Sequence, residues 1–394
     1  MKKYLYPANI LLPKSDFEKW AVIACDQYTS DSEYWKTVED LVGDAPSTLN
    51  IILPEIYLEQ AEERIGKINA TMNKYLNGDV FDTYEQSMIY IEREITGGKL
   101  RRGIVGMIDL EEYDYRAGSN ALIRATEQTV AERIPPRVAI RKNAPLELPH
   151  VMVFINDPEN RVLGPLSDKK AELSRVYDFD LMKKGGHIAG YRVSGDDCDS
   201  VNASLEGLVT DGFLYAVGDG NHSLATAKEC YRLNPTENNR YALVEIVNIY
   251  DSAIEFEPIY RVLFNCDKAD LLSKFEATVG FIADKSSAHE FRVVTKNGSE
   301  TVYAKPSSEL PVGTLQGFLD DYLRANPEVK IDYIHGISDT EKLCGTENTV
   351  GFIFDGMKKS ELFSAVAADG SLPRKTFSMG HADDKRFYLE ARKL

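Results

Sequence analysis

Cysteine is scarce and too scattered for shared chemistry. The chain of 394 residues has five, Cys25, Cys198, Cys230, Cys266 and Cys344, with no C-x-x-C among them. That spacing excludes zinc fingers and thioredoxin-like redox motifs and suits a reducing compartment, where such thiols act as small buried hydrophobes. Positive charge is also short: 46 Lys and Arg stand against 62 Asp and Glu, a formal net charge of −16. Broad contact with nucleic acid or an anionic membrane draws on a basic surface, so neither is an expected partner. No apolar run approaches the roughly 18–20 residues of a membrane span, and Asn9, Lys14, Ser15 and Asp16 interrupt the start before a leader-like core develops. A cytoplasmic location is expected. There is no G-x-x-x-x-G-K-[ST], which excludes a P-loop, and no run of alternating strand and helix around a G-x-G-x-x-G, which argues against a Rossmann site.

What is present is ordinary globular material, 43% hydrophobic and 27% charged. At about 100–200 residues per domain, the length suits two or three lobes. Residues 1–115 read as mixed α and β. Trp20–Cys25 is a short apolar strand. A helix over Ser30–Leu41 follows from cap residues and helical spacing, and Ile56–Leu76 is a longer one stopped by Asn77-Gly78. Ser87–Ile95 and Arg102–Leu110 form a hairpin around Gly97-Gly98. Residues 116–265 are richer in strands, with Val138–Ile140, His150–Ile155, Phe213–Val217, Tyr241–Ile249 and Ile259–Phe264. A helix opens after Gly220 and stops at Asn234-Pro235. Residues 266–394 run helix, strand, strand, helix over Asp270–Val279, Glu290–Lys296, Glu300–Ala304 and Leu315–Arg324, and Val350–Phe354 is a further strand. The class is α+β, with an N-terminal α/β lobe, a central catalytic lobe and a C-terminal α+β lobe closing the site.

Three segments carry chemistry. In Gly218-Asp219-Gly220-Asn221-His222-Ser223 a strand runs into a glycine turn that opens a helix, whose first amides and dipole favour a phosphate. Glycine at 218 and 220 allows close anion approach. Asp219 suits Mg²⁺, and His222 suits donation to a phosphoryl oxygen or proton shuttling. A plain helix cap with an incidental histidine would look the same. The second segment, residues 124–142, gathers Arg124, Arg133, Arg137, Arg141 and Lys142 against Glu127 and Glu132, a basic stretch on an acidic chain suited to a polyanion such as a nucleotide. Glu127, between Thr126 and Thr129, is placed as a general base or metal ligand. Pro135-Pro136 is expected to break any helix here. The third segment, Pro373-Arg374-Lys375-Thr376, sets adjacent cations beside a hydroxyl, suited to closing over phosphate or to a basic surface turn.

Together these segments resemble the domain-of-unknown-function 1015 family, which is related to the free serine kinases and, more distantly, to the nucleotide-binding fold of ParB and sulfiredoxin. The family's D-G-H-H-R stands here as Asp219-Gly220-Asn221-His222-Ser223. Its proline-His-Glu element resembles Thr126-Glu127-Gln128-Thr129 with Arg133, and its C-terminal P-R/K-K-[ST] looks like Pro373-Arg374-Lys375-Thr376. The resemblance implies a central ParB/sulfiredoxin-like nucleotide-binding lobe. It also implies Mg²⁺-dependent phosphoryl transfer between a nucleotide (ADP or ATP) or pyrophosphate and the hydroxyl of free serine or a similar small molecule. Glu127 would be the base. Asp219, with Asn221 and His222, would serve phosphate and metal, and Lys375 and Thr376 would close the pocket. Thr126, Asn221 and Ser223 depart from the family pattern. The lost arginine at 223 removes a bidentate phosphate clamp, with Arg124, Arg133 or Arg137 as substitutes. A phosphoserine phosphatase using the same pocket and a ParB-like nucleotide-binding regulator are the alternatives.

Overall fold

Alternation along single strands sets the architecture of the first structural unit. In the Phe81–Ile95 strand, Ile89 and Ile91 enter one apolar core while Met88 and Tyr90 enter another. A strand buried on both faces requires this, because successive side chains point to opposite sides. The computed structural model describes residues 2–394 and divides into two units, Met1–Ile254 with His381–Leu394, and Glu255–Gly380.

The first unit is built on a ten-stranded mixed sheet. Its order runs Tyr113–Asp114, Ile123–Ala125, Tyr215–Asp219, Met152–Ile155, Tyr241–Asn248, Lys99–Asp109, Phe81–Ile95, His187–Ser194, Ser174–Asp180, with Ala8–Pro13 paired to Phe81–Ile95 off that path. Ile123–Ala125 and Tyr215–Asp219 are parallel, whereas Met152–Ile155 runs antiparallel to the latter and parallel to Tyr241–Asn248. Two strands therefore end, and two begin, at one edge of the sheet. The segments after Ala125 and Asp219 and the segment before Met152 all meet there. The His381–Leu394 segment is tied in through Phe387–Tyr388 pairing with Val22–Ile23 and Arg392–Lys393 pairing with Leu146–Glu147.

Buried arginines fasten that segment. Arg93, 1% exposed, donates to the backbone carbonyls of Asp383, Asp384 and Lys385. Arg386 donates to Glu245, Glu390 and the carbonyl of Pro149. The buried Arg386 ion pairs persist because each of its three nitrogens finds an acceptor; removing one partner would strand a charge, at a cost of about 3–5 kcal/mol.

The second unit has its own six-stranded sheet, ordered Gly298–Ala304, His289–Thr295, Thr349–Ile353, Phe256–Phe264, Lys330–His335, with Phe377–Met379 paired to the start of Phe256–Phe264. Helices Lys268–Val279 and Pro311–Ala325 belong to it, with Phe275, Phe291, Phe318 and Phe352 forming an aromatic cluster.

Several expectations need correction. The expected division at 115 falls inside the first sheet, where Tyr113–Asp114 pairs with Ile123–Ala125. The C-terminal part does not stay with 266–394, because residues from His381 onward complete the first unit. Val138–Ile140 is helical, within Ile134–Arg141. Pro135 and Pro136 begin that helix rather than break it, since the first turn needs no amide donors there. Phe17–Trp20 is a helical turn, so only Val22–Ile23 of the Trp20–Cys25 segment is strand. The helices Ser32–Val42 and Ala61–Asn77 and the hairpin of Phe81–Ile95 with Lys99–Asp109 lie where the pattern put them. The α+β class holds.

Candidate functional site

The glycine turn is required by its geometry. Gly220 has φ +82°, and a Cβ there would lie 3.1 Å from the Cα of Val151, so only glycine passes without strain. The helix Asn221–Leu233 starts immediately after it. Its first internal bond runs from Leu224 N–H to the carbonyl of Gly220 at 3.0 Å. The amides of Asn221, His222 and Ser223 therefore have no partner within the helix, and they carry the positive end of its dipole. Leu224 and Ala227 anchor the helix in the core with Val217.

The first two sequence segments meet here. Thr126 Oγ1 donates to the carbonyl of Val217 at 2.6 Å, locking the loop after Ala125 against the strand that leads to the turn. Farther along, Val130 N–H donates to His222 Nε2 at 3.2 Å. That contact makes Nε2 an acceptor and leaves the ring proton on Nδ1. Burial, then the charges of Arg137 and Arg133, hold His222 below the usual histidine value, so the ring is neutral near pH 7. Glu127 sits half-buried on the same loop. Two oxygens at this junction, Thr129 Oγ1 and Asn221 Oδ1, are buried with no hydrogen-bond partner. Buried polar atoms are nearly always paired, and these two flank a helix start that favours anions.

Asp219 is engaged otherwise than expected. Its Oδ1 accepts from Gly220 N–H and its Oδ2 from Lys385 Nζ, both at 3.0 Å. Among the described residues no group of three or more His, Cys, Asp or Glu side chains gathers as a metal site. One carboxylate already paired with an ammonium does not fit a protein-held Mg²⁺. Lys385, unrecognised from the sequence, is the cation nearest the turn in these contacts.

The arginines separate. Arg137 pairs with Glu55 and also donates to the carbonyl of Arg133. Arg133 is exposed. Arg124 is buried, donates to the carbonyl of Ala121 at 2.9 Å and lies 4.3 Å from the Phe213 ring centroid. It is engaged in packing away from the turn. Arg374, Lys375 and Thr376 belong to the second unit. There Arg261 donates to the carbonyls of Arg374 and Lys375, Arg374 Nε donates to Tyr333, and Thr376 is buried, donating to the carbonyl of Pro373. The site described here is assembled without them.

Beside the turn lies a pocket of about 160 Å³, with walls from Leu53, Met72, Ile140 and Leu243 and polar groups from Arg137, Arg141, His150, Ser223 and Tyr388. Its size suits a small metabolite rather than a drug-sized ligand. Ser223 Oγ is 3.0 Å from His150 Nε2, and His150 Nδ1 is 2.8 Å from the Tyr388 hydroxyl. The sequence offered no partner for His150, because its neighbours come from strand edges remote in the chain.

Comparison with known proteins returns weak structural likeness and a clear family. No curated protein matches the sequence. A conserved hypothetical protein from Pyrococcus furiosus is 13% identical, with 74% of this chain and 94% of that one covered and a TM-score of 0.38. A free serine kinase variant in complex with ADP is 12% identical, with 75% and 94% covered and a TM-score of 0.43. C-terminally truncated SbnI from Staphylococcus aureus is 9% identical, with 72% and 82% covered and a TM-score of 0.38. Likeness of this degree assigns no residue and no activity. The family described as "Protein of unknown function (DUF1015)" matches residues 5–322, a span that takes in both segments of the site, and the chain belongs to that family.

Proposed function

We propose that the first unit is a phosphotransferase moving a phosphoryl group between a nucleotide, ADP or ATP, and the hydroxyl of free serine or a similarly small molecule. The observation that carries this reading is the Val130–His222 contact, which sets the Glu127 loop against the helix start at the glycine turn. A phosphate at that turn accepts from the amides of Asn221, His222 and Ser223. Thr129 Oγ1 and His222 Nδ1–H add donors, and Lys385, paired with Asp219, adds an ammonium donor. Phosphoryl transfer needs positioning and charge neutralisation above all, and this set supplies both. Glu127 takes the proton of the acceptor hydroxyl as the oxygen attacks phosphorus. The adjoining pocket, where Arg137 is paired with Glu55 and Arg141 with the lining Glu147, suits a small polar acceptor.

Mg²⁺ belongs to this reading only as the ion that accompanies nucleotide phosphates; no step here runs through it. Lys375 and Thr376, proposed from the sequence as closing groups, are not needed for the set just described. The test is phosphorus NMR of the full chain with ATP, ADP or pyrophosphate, with and without Mg²⁺, and free serine. A phosphoserine resonance that requires a nucleotide is the expected result. Phosphate release from phosphoserine without a nucleotide acceptor would replace this reading with a phosphatase. Nucleotide binding with no turnover of either kind would leave a regulator.

A further inference from the structure

The polar contacts behind the glycine turn form a chain from Cys25 through Tyr388 and His150 to Ser223. The Tyr388 hydroxyl donates to Cys25 Sγ at 3.0 Å, while Cys25 N–H approaches the phenolic oxygen at 3.4 Å. When the Tyr388 proton goes to sulfur, the phenolic oxygen faces His150 Nδ1 as an acceptor and Nδ1 carries the imidazole proton, the tautomer on which the proposal below rests. His150 Nε2 is then bare, and it lies 3.0 Å from Ser223 Oγ. Burial pushes the Cys25 thiol up to about 12 and holds the Tyr388 phenol well above its ordinary value, so both stay neutral near pH 7. His150 and Tyr388 are 7% and 3% exposed, whereas Ser223 is half-buried and borders the pocket. A hydroxyl, a base within reach and a third group fixing the base's tautomer are the parts of an activated nucleophile. Ser223 also contributes one of the three amides at the helix start, so a phosphate held there lies beside its Oγ.

We propose that Ser223 is a nucleophile activated by His150, and that it carries the phosphoryl group covalently between donor and acceptor. The inference deepens the phosphotransferase reading and rests on it for the identity of the donor. In the first step the Ser223 O–H proton passes to His150 Nε2 and the Oγ–P bond forms. The bond from the γ-phosphorus to its bridging oxygen breaks, and nucleoside diphosphate leaves with that electron pair. In the second step the acceptor hydroxyl gives its proton to Glu127 and its oxygen bonds to phosphorus. The P–Oγ bond breaks as His150 returns its proton to Ser223. Tyr388 is a positioning residue, acting only through the tautomer of His150. The departure from the family's arginine at 223 thereby acquires a chemical use.

The experiment treats the full chain with ATP and Mg²⁺ before any acceptor is added and reads the intact mass. In parallel it uses a fluorophosphonate probe, which phosphonylates activated serines with loss of fluoride. The expected result is one phosphoryl group per chain, mapped to Ser223, discharged by free serine and absent in Ser223→Ala. His150→Gln should slow labelling by about 10²-fold, the scale of general-base catalysis. Tyr388→Phe should shift the His150 ring ¹⁵N resonances toward mixed tautomers as labelling slows, which a merely packed phenol would not do. Mapping the label on the unaltered chain decides the matter even if a variant fails to fold. Phosphoryl transfer at the unaltered rate in Ser223→Ala, with no label on the parent chain, overturns the role of Ser223 and leaves the phosphotransferase reading intact. Fluorophosphonate labelling of Ser223 in a chain that binds no ATP by calorimetry overturns the nucleotide reading and upholds the activated serine.

Discussion

Val130 and His222 are 92 positions apart, yet the amide of one donates to the ring of the other at 3.2 Å. The bond requires an unprotonated Nε2, which gives a pH dependence with a definite sign. Burial, with Arg137 and Arg133 behind it, depresses the folded-state value of His222. On acidification the unfolded chain takes up this proton first. The histidine's contribution to stability is therefore complete above about pH 6.5 and is lost as the pH falls toward the folded value. Urea unfolding midpoints at about pH 7.5 and 5.5 should fall more steeply for the native sequence than for His222→Gln, whose amide oxygen accepts from Val130 at either pH. Parallel slopes would remove His222 from the account.

Glu127→Gln keeps size and hydrogen-bonding capacity while removing the proton acceptor. Nucleotide affinity measured by calorimetry should be retained. The single-turnover rate of phosphoryl transfer to free serine should drop by about 10²-fold. A normal rate in a variant with a normal melting temperature rules out Glu127 as the base.

The Asp219–Lys385 pair separates two accounts of the same carboxylate. If Asp219 serves chiefly to hold Lys385 toward the turn, Lys385→Met should weaken ATP binding by about tenfold or more, the scale of one charge-assisted hydrogen bond. Asp219→Asn should have a much smaller effect, and that effect should be the same with and without Mg²⁺. A collapse of Mg²⁺-dependent affinity in Asp219→Asn alone would restore Asp219 as a metal ligand.

Gly220→Ala forces an L side chain into a left-handed backbone conformation and against the Val151 backbone. The expected loss is about 1–3 kcal/mol of stability, read as a lowered melting temperature. Nucleotide binding should weaken as well, because the strain falls on the turn that aims the helix amides.

The strands, hairpin and helix starts were legible because they depend on local pattern. Asp31 caps the Ser32–Val42 helix through Tyr34 N–H, as cap chemistry requires, and Gly78 closes the Ala61–Asn77 helix by donating its N–H to the carbonyl of Lys74. The strand, glycine turn and helix around Gly220 were legible for the same reason. Local reasoning failed where one residue type has opposite meanings by position. Pro135-Pro136 reads as a breaker yet opens the Ile134–Arg141 helix. Arg124 reads as a phosphate ligand, but a mid-strand position turns its guanidinium to Ala121 and Phe213. His150, Lys385 and Tyr388 were missed because their meaning lies in strand order. Nothing near them in the chain hints that Met152–Ile155 begins where Tyr215–Asp219 ends, or that Phe387–Tyr388 pairs with Val22–Ile23.

The discontinuity of the first unit also has a consequence during synthesis on the ribosome. Residues Glu255–Gly380 emerge before His381–Leu394, which carries Lys385, Arg386 and Tyr388. The first unit is thus the last to be completed, since its lysine, its tyrosine and the arginine that pairs with Glu245 come from the final residues. Until that last segment is in place, Glu245 lacks Arg386 and His150 lacks the Tyr388 hydroxyl. A chain ended at Gly380 should keep a folded second unit, while its first unit, short of the strands that pair with Val22–Ile23 and Leu146–Glu147, should be cut readily by proteases.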